Sequence, residues 1–461
     1  GGVARRNVGE AKELPADVVK AAEARRNLEA IIDAPPGPLT DPNKLLAEIR
    51  PALDRLPPDQ GAQAAYAVGM GYVRQGQWTL AREALLVMVD RFPADPLAAE
   101  AYRWLIRYNS SSEARRRQEL GQFLVLGRSE FQAKEVPGSG SAKSGPPRHE
   151  VQVQQVRQLS MLGSKDDTRR WYEGSLEIEP RLAAFGPLFA GDPSVQFCLQ
   201  AARRSLGDFE TPKQWYARFM AEHPAGPWRE LAATELWLTN RRGQPPRPVA
   251  VCRQTDTRPF LDGKLDEDCW TAHKPLVLRN AVGDTTREYP TQVWLAYDKD
   301  FLYVAARCKH PAGKHVDPVK PRPRDADVRP YDRISLMLDL DRDYSTYFHL
   351  QIDQRGCVCD DCWGDLTWDP RWFVAVKSDA EGWQVEAAIP LIELTGDVVT
   401  VGRAWACNVT RILPGRGVQA WSVPADVQPR PEGMGVLLFT QDGPPRAAGR
   451  PAVPMTKAAS E

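Results

Sequence analysis

The stretch LDGKLDEDCW, residues 261–270, stands where the character of the chain changes. It follows the proline-rich segment RRGQPPRPVAV (residues 241–251). Beyond that segment, apolar residues recur at every second position, whereas before it they recur at helical spacing. An Asp-Gly turn, a second acidic turn and a tryptophan therefore open a new domain. We predict that this domain is an antiparallel β-sandwich.

Short alternating segments separated by turn residues follow this opening. The segment TQVWLAYDKDFLYVAARC (residues 291–308) predicts two strands around an Asp-Lys-Asp turn, which is a hairpin. Eight or more such segments come without long helices between them, as in an antiparallel sandwich. Because side chains alternate along a strand, Phe348, Leu350 and Ile352 share one face, and we predict that this face lies in the core.

Length and charge exclude several classes of protein. A chain of 461 residues is expected to form two or three domains. Lys+Arg and Asp+Glu both number 60, so the formal net charge is zero, which argues against a nucleic-acid binder. Apolar runs stay shorter than the roughly 18 residues that a spanning helix needs, so we expect no transmembrane segment. The chain begins Gly-Gly-Val, which suggests a processed or trimmed form.

The first half of the chain has helical periodicity. Gly69 is predicted to let two helices approach closely, Gly76 to separate them, and Pro93 to end the second helix. With Tyr72 and Ala81, these residues fall at the spacing of the tetratricopeptide repeat, which the segment resembles. Residues 207–232 align with residues 76–101 without a gap, as a second copy would. The resemblance implies a helical scaffold on which a protein partner docks.

These patterns divide the chain into six parts. The expected class is multidomain, with a helical N-terminal half and an all-β C-terminal domain. We predict an N-terminal extension (1–40), a helical repeat region (41–135), a flexible linker or loop (136–149), a second helical repeat region (150–245), the β-sandwich (246–440) and a disordered tail (441–461).

The sandwich region carries several motifs in order along the chain. They are the opening turn with Trp270, Tyr297-Asp298 in the first hairpin, Asp332 before a strand, Glu386 in GWQVEAAIP, and Asn408 with Arg411 in ACNVTR. With them, the region resembles the family 9 carbohydrate-binding modules and the related DOMON-like sandwiches. The resemblance implies a non-catalytic, carbohydrate-binding protein of the cell envelope or the secreted fraction. Sugar-binding members carry a tryptophan three residues after the asparagine, and here that position is Arg411.

Strand parity predicts where a ligand would bind. If their strands are neighbours, His349, Glu386 and Asn408 lie on one polar face, together with Gln351. Asp332 and Arg411 are expected at its rim, although Arg411 needs a bulge to join Asn408. Planar polar groups and nearby aromatic rings suit a hydroxyl-rich ligand. The candidate aromatic residues are Trp368 and Trp421, with Trp363 and Trp372 as further options.

Catalytic signatures are missing from the sequence. It contains no G-x-S-x-G, no H-E-x-x-H and no phosphate-binding glycine loop, so we expect a protein that is not an enzyme. The alternative to sugar binding is a structural or assembly protein whose sandwich binds a protein partner.

Two clusters suggest metals. Asp339, Asp341 and Asp343 occupy alternate positions that could converge on a structural calcium ion, or simply form a solvated turn. No other cofactor is expected, although a haem held by Met337 and His349 is a further alternative.

The cysteines of CVCDDC are Cys357, Cys359 and Cys362, which allow a zinc site, free thiols or one disulfide bridge. Cys308 and Cys407 have inward parity, as buried thiols or as a disulfide.

Overall fold

The computed structural model describes residues 15–33, 49–131, 165–311, 316–319, 323 and 325–441. The predicted linker at 136–149 and all but the first residue of the predicted tail lie outside these ranges. The chain divides into two compact units. The helical unit comprises Gly1–Trp215, Asp343–Thr346 and Asp361–Asp369, and the sheet unit comprises Tyr216–Arg342, Tyr347–Asp360 and Pro370–Glu461. The predicted domain boundaries remain predictions.

Helices make up most of the first half of the chain. Asp95 and Asp192 cap two of them, since each carboxylate accepts a hydrogen bond from a backbone N–H two residues later, at 2.8 and 2.9 Å. The helices in chain order are α1 Ala16–Asp33, α2 Pro58–Arg74, α3 Trp78–Arg91, α4 Pro96–Ser110, α5 Ser112–Phe131, α6 Lys165–Ala183, α7 Pro187–Ala190, α8 Pro193–Ser205, α9 Glu210–Glu222 and α10 Pro227–Asn240. Among the described residues, none of these helices is long and apolar enough to cross a membrane.

The predicted helix pair is present as α2 and α3. A Cβ placed on Gly69 would lie 2.5 Å from the Leu85 Cδ2 atom, so the glycine does let these helices approach closely. Gly76 lies between them with a left-handed φ of 71°, and α3 ends at Arg91, before Pro93. In the second copy, residues 207–232, helices α9 and α10 correspond to α3 and α4 of the first copy. Membership of the tetratricopeptide family stays a prediction.

The sheet unit contains one large curled sheet of thirteen strands. Its main path runs in the order β8-β7-β6-β11-β13-β1-β4-β5-β10-β9, with β2, β3 and β12 at its side. The strands are β1 Val249–Gln254, β2 Leu276–Val277, β3 Arg279–Val282, β4 Thr291–Tyr297, β5 Phe301–Lys309, β6 Arg333–Asp339, β7 Phe348–Asp353, β8 Val358–Cys362, β9 Phe373–Ser378, β10 Gly382–Pro390, β11 Ala404–Leu413, β12 Gly417–Ala420 and β13 Gly435–Thr440.

The sheet is mixed, whereas the sequence predicted an antiparallel one. Strand β1 runs parallel to both of its neighbours, β13 and β4. Long connections join β1 to these strands, so no tight hairpin forces it to be antiparallel. The predicted hairpin at residues 291–308 is confirmed as β4 and β5, and Phe348, Leu350 and Ile352 are buried as expected.

The opening stretch, residues 261–270, packs against the sheet. Leu265 and Trp270 are buried in a cluster with residues of β4, β5 and β10: Trp294, Ala296, Phe301, Tyr303, Ala305 and Ala388. Gly263 adopts a left-handed φ of 81°, and a Cβ there would lie 2.8 Å from the Lys377 backbone nitrogen. The Asp-Gly turn therefore serves a close approach to β9 as well as a change of direction.

Candidate functional site

Three neighbouring strands place polar side chains on one face of the sheet unit. Met337 on β6 pairs with His349 on β7 and with Asn408 on β11, so the three residues form a row across the sheet. Ser335 lies in the next row, between Gln351 and Thr410. Because alternate residues share a face, all of these side chains point to the same side. The expectation that His349 and Asn408 share a face is therefore met.

A shallow cleft, with an enclosed volume of about 10 Å³, lies over this face. Its floor contains a hydrogen bond of 2.7 Å between the Ser335 hydroxyl and Nε2 of His349. The wall is the segment 425–430, in which Asp426, Gln428 and Arg430 are exposed. The complete lining is Ser335, Met337, His349, Asn408, Thr410, Ile412, Ala425, Asp426, Val427, Gln428, Pro429 and Arg430. The sequence interpretation missed the wall segment, whose signal was a polar, proline-containing run between two strands.

Asn408 holds the loop that leads to this wall. Its Nδ2 donates to the carbonyl oxygens of Ser422 at 2.9 Å and Gly433 at 3.3 Å. Its Oδ1 accepts a hydrogen bond from the Ser422 N–H at 3.1 Å. The side chain is 2% exposed. Asn408 therefore shapes the cleft by fixing residues 422–433 at both ends, and its amide hydrogens are already used.

Asp332 and Arg411 lie away from the cleft. Arg411 is three residues from Asn408 and the register of β11 against β6 is unbroken between them, so Arg411 points to the opposite face. There its Nη2 and Nε contact the Asp332 carboxylate at 2.6 and 2.8 Å. The guanidinium also donates to the Tyr289 and Lys309 carbonyl oxygens. The bulge that would bring Arg411 beside Asn408 does not form, and the ion pair is part of the core.

Glu386 does not join the polar face either. It lies on β10, and β13, β1, β4 and β5 separate that strand from β11. One carboxylate oxygen accepts from the Trp270 indole at 3.0 Å, and the other from the backbone N–H groups of Asp262 and Gly263 at 3.1 and 2.8 Å. Its side chain is fully buried, and this burial raises the pKa of Glu386 to about 7. Glu386 thus anchors the opening stretch.

The two predicted tryptophans are placed differently. Trp421 is half-buried, and its ring packs so closely on Gly435 that a Cβ there would lie 2.8 Å from two ring carbons. Trp368 is buried and belongs to the helical unit. Of the further options, Trp372 donates its indole N–H to Asp360 at 3.0 Å, and Trp363 also belongs to the helical unit. None of these four tryptophans is among the residues that line the cleft.

The three predicted calcium ligands do not act alike. Asp339 and Asp341 each bring a carboxylate oxygen within 4.8 Å of the other. Asp343 instead accepts hydrogen bonds from the backbone N–H groups of Ser345 and Thr346, both at 2.7 Å. The alternation on which the prediction depends ends there, because Arg342 and Tyr344 have left-handed φ angles of 58° and 54°. Calcium at this turn stays a prediction.

The cysteines form no disulfide bridge. This holds for all eight, each of which lies in the described part of the chain. Burial raises the pKa of both Cys308 and Cys407 to about 12, which leaves them as inert core groups. Within the described parts of the chain, no three cysteine or histidine ligand atoms converge as a zinc site requires. Met337 and His349 lie side by side on one face, whereas two axial haem ligands would face each other.

Comparisons with known proteins give a limited likeness. No family model matches the sequence, and a search of curated proteins finds no match. Among solved structures, the chain is similar to a family 9 carbohydrate-binding module from Caldicellulosiruptor kristjanssonii in complex with cellotriose, at 18% identity and a TM-score of 0.33. It is similar to such a module in complex with glucose at 16% identity, also with a TM-score of 0.33. These matches cover 45% and 44% of this chain and all of the other chain.

Proposed function

We propose that the sheet unit is a non-catalytic domain that binds carbohydrate in the cleft over β6, β7 and β11, and that the helices dock a partner protein. The observation that carries the first part is the cleft itself. Its floor brings the Ser335 hydroxyl and the His349 imidazole together, and its wall exposes the polar side chains of residues 426, 428 and 430. The resemblance of residues 261–439 to carbohydrate-binding modules supports the same proposal.

The lining has the chemistry that a sugar needs. Sugar hydroxyls both donate and accept hydrogen bonds. Hydroxyl, imidazole and amide groups can also do both, whereas the Arg430 guanidinium only donates. The C–H surfaces of a sugar require apolar contact, which Ile412, Val427 and Pro429 provide. Phenylalanine, tyrosine and tryptophan are not among the lining residues, so we propose that a sugar enters the cleft by an edge or a chain end instead of stacking flat.

We also propose that the cleft binds sugar without cleaving it. Glycoside hydrolysis uses two carboxylates that flank the scissile bond. Glu386 and Asp332 carry carboxylates that are bonded to groups of the domain itself, and neither lines the cleft. Asp426 is the only carboxylate among its lining residues. We also propose a cell-envelope or secreted location, which fractionation of the producing cells would test.

Calorimetry with millimolar sugar tests the binding proposal. A monosaccharide of about twelve heavy atoms gains about 4–5 kcal/mol, so we expect dissociation constants in the millimolar range. Glucose and cellotriose are suitable first ligands. Gln428→Ala and Arg430→Ala should each weaken binding several-fold because they remove exposed polar groups of the wall.

Matched controls are available on the surface of the same unit. Gln244 and Arg287 are exposed and do not line the cleft. Gln244→Ala and Arg287→Ala should therefore bind sugar like the unmodified protein. Absence of any heat with a broad set of sugars, or equal losses in wall and control variants, would refute the proposal.

A specific observation favours the structural alternative, in which the sheet unit binds a protein. Phe260, Val277 and Phe373 are 77%, 57% and 41% exposed, and apolar residues of this size are common in protein interfaces. The double variant Phe260→Ala/Phe373→Ala should then disturb association in light scattering or pull-down measurements while sugar calorimetry stays unchanged. An unchanged association pattern would exclude Phe260 and Phe373 as part of the interface.

A further inference from the structure

In the helical unit, the side chains of Trp78, Trp104 and Arg117 form a binding surface. Segment 361–367 of the same unit, DCWGDLT, occupies this surface. Trp363 of this segment inserts between Trp78 and Trp104. Its ring meets the Trp78 ring edge to face at 5.7 Å between centroids, and it stacks on the Trp104 ring at 6.1 Å and 20°. Tyr108 extends the cluster by stacking on Trp104 at 4.9 Å. An aromatic pocket thus receives an aromatic side chain.

Arg117 recognises the polar part of the same segment. Its guanidinium lies 4.1 Å from the centre of the Trp78 ring. From there it forms an ion pair with Asp365 at 2.5 Å and donates to the Thr367 hydroxyl at 2.5 Å. The same guanidinium also donates to the Gly76 carbonyl oxygen at 3.1 Å. Arg117, which a cation–π contact with Trp78 holds in place, therefore binds the Asp365 carboxylate and the Thr367 hydroxyl at the same time.

The bound segment is a tight turn with its own internal bonds. Trp363 and Gly364 both have left-handed backbones, with φ angles of 51° and 82°. The Asp361 carboxylate accepts from the Gly364 N–H at 2.8 Å, and that of Asp365 accepts from the Thr367 N–H at 2.9 Å. Such bonds hold the turn in one shape, so the indole, the carboxylate and the hydroxyl are presented at low entropic cost.

The receiving surface is shaped for this turn at Gly76. A Cβ at that position would lie 2.1 Å from the Thr367 hydroxyl oxygen and 3.0 Å from the Asp365 carboxylate. Any side chain there would displace the segment. The glycine between α2 and α3 therefore serves recognition as well as the reversal of the chain.

We infer that this surface is a recognition site for a turn that carries an aromatic residue, a glycine and an acid, filled in cis by residues 361–367. A partner with a turn of this chemistry docks on the helices by replacing the resident segment. This inference rests on the partner-docking part of the proposed function and is independent of the sugar cleft.

The test uses the full chain with the resident turn disabled. Trp363→Ala/Asp365→Ala empties the site, and the probe is a fluorescently labelled, head-to-tail cyclised peptide of residues 361–367. Fluorescence anisotropy should show binding to this variant at least tenfold tighter than to the unmodified protein. A peptide with alanine in place of its tryptophan should not bind. Adding Arg117→Ala to the variant should abolish binding.

Controls separate the possible outcomes. Leu366 is 60% exposed in the same segment, so Leu366→Ala should behave like the unmodified protein. If the double variant does not fold by circular dichroism, Asp365→Ala alone replaces it, and intermediate peptide binding is expected. The inference is overturned if the folded double variant does not bind the peptide. It is also overturned if the double variant, Leu366→Ala and the unmodified protein all bind the peptide equally. Sugar calorimetry on the same variants should be unchanged, so failure of the cleft proposal is recognised separately.

Discussion

The buried carboxylate of Glu386 predicts that the sheet unit loses stability as the pH rises. Burial raises its pKa to about 7 from an ordinary value of 4.5. The folded protein therefore holds this proton more tightly than the unfolded chain does. The stability that the protonated Glu386 contributes is complete below pH 4.5, the ordinary pKa, and is lost as the pH rises through about 7, the pKa in the folded state. The sign is opposite to that of a carboxylate in an ion pair.

The magnitude follows from the width of this window. A shift of about 2.5 pH units at about 1.4 kcal/mol each corresponds to roughly 3 kcal/mol of unfolding free energy. Most of it, about 2–3 kcal/mol, falls between pH 5 and pH 8. Glu386→Gln has no titrating group and resembles the protonated acid in shape, so the dependence should disappear in this variant.

The assay is urea unfolding at several pH values between 5 and 8, followed by near-ultraviolet circular dichroism. The quantity to compare is the unfolding free energy of the unmodified protein minus that of Glu386→Gln, which cancels the other titrating groups. It should fall by about 2–3 kcal/mol from pH 5 to pH 8. Glu288 is exposed, so Glu288→Gln should show no such change. A difference that stays constant, or that rises with pH, would show that the three N–H donors outweigh burial and keep Glu386 ionised.

Other predictions concern single contacts. Arg411→Ala leaves the Asp332 carboxylate without its cation in the core, so we expect a loss of about 3–5 kcal/mol in denaturant unfolding, and a loss below about 1 kcal/mol would contradict the role of this pair. Asn408→Ala removes three hydrogen bonds to residues 422 and 433 and should cost about 2–4 kcal/mol; hydrogen exchange should accelerate in residues 422–433, and unchanged exchange there would exclude the proposed anchoring. Gly69→Ala forces a Cβ against Leu85 and should cost about 1–3 kcal/mol in thermal unfolding. Gly121→Ala is its matched control, because a Cβ there meets nothing within 4 Å, and its stability should stay equal or rise.

Features that depend on neighbouring residues were predictable from the sequence. The alternation of apolar residues placed Phe348, Leu350 and Ile352 in the core and put His349 and Asn408 on a common face. The hairpin at residues 291–308 and the end of α3 before Pro93 followed from turn residues and proline. Each of these properties is set by backbone geometry within a few residues, so a local pattern is enough to determine it.

The candidate site could be predicted only in part, because its composition depends on which strands are neighbours. Glu386 has outward parity, as predicted, but its strand lies at a distance from β11 and the outer face there is covered by the opening stretch. The parallel pairing of β1 and the cleft wall at residues 425–430 likewise arise from contacts between distant parts of the chain. Alternation along a strand tells on which side a residue lies, whereas only packing across long sequence separations decides what that side faces.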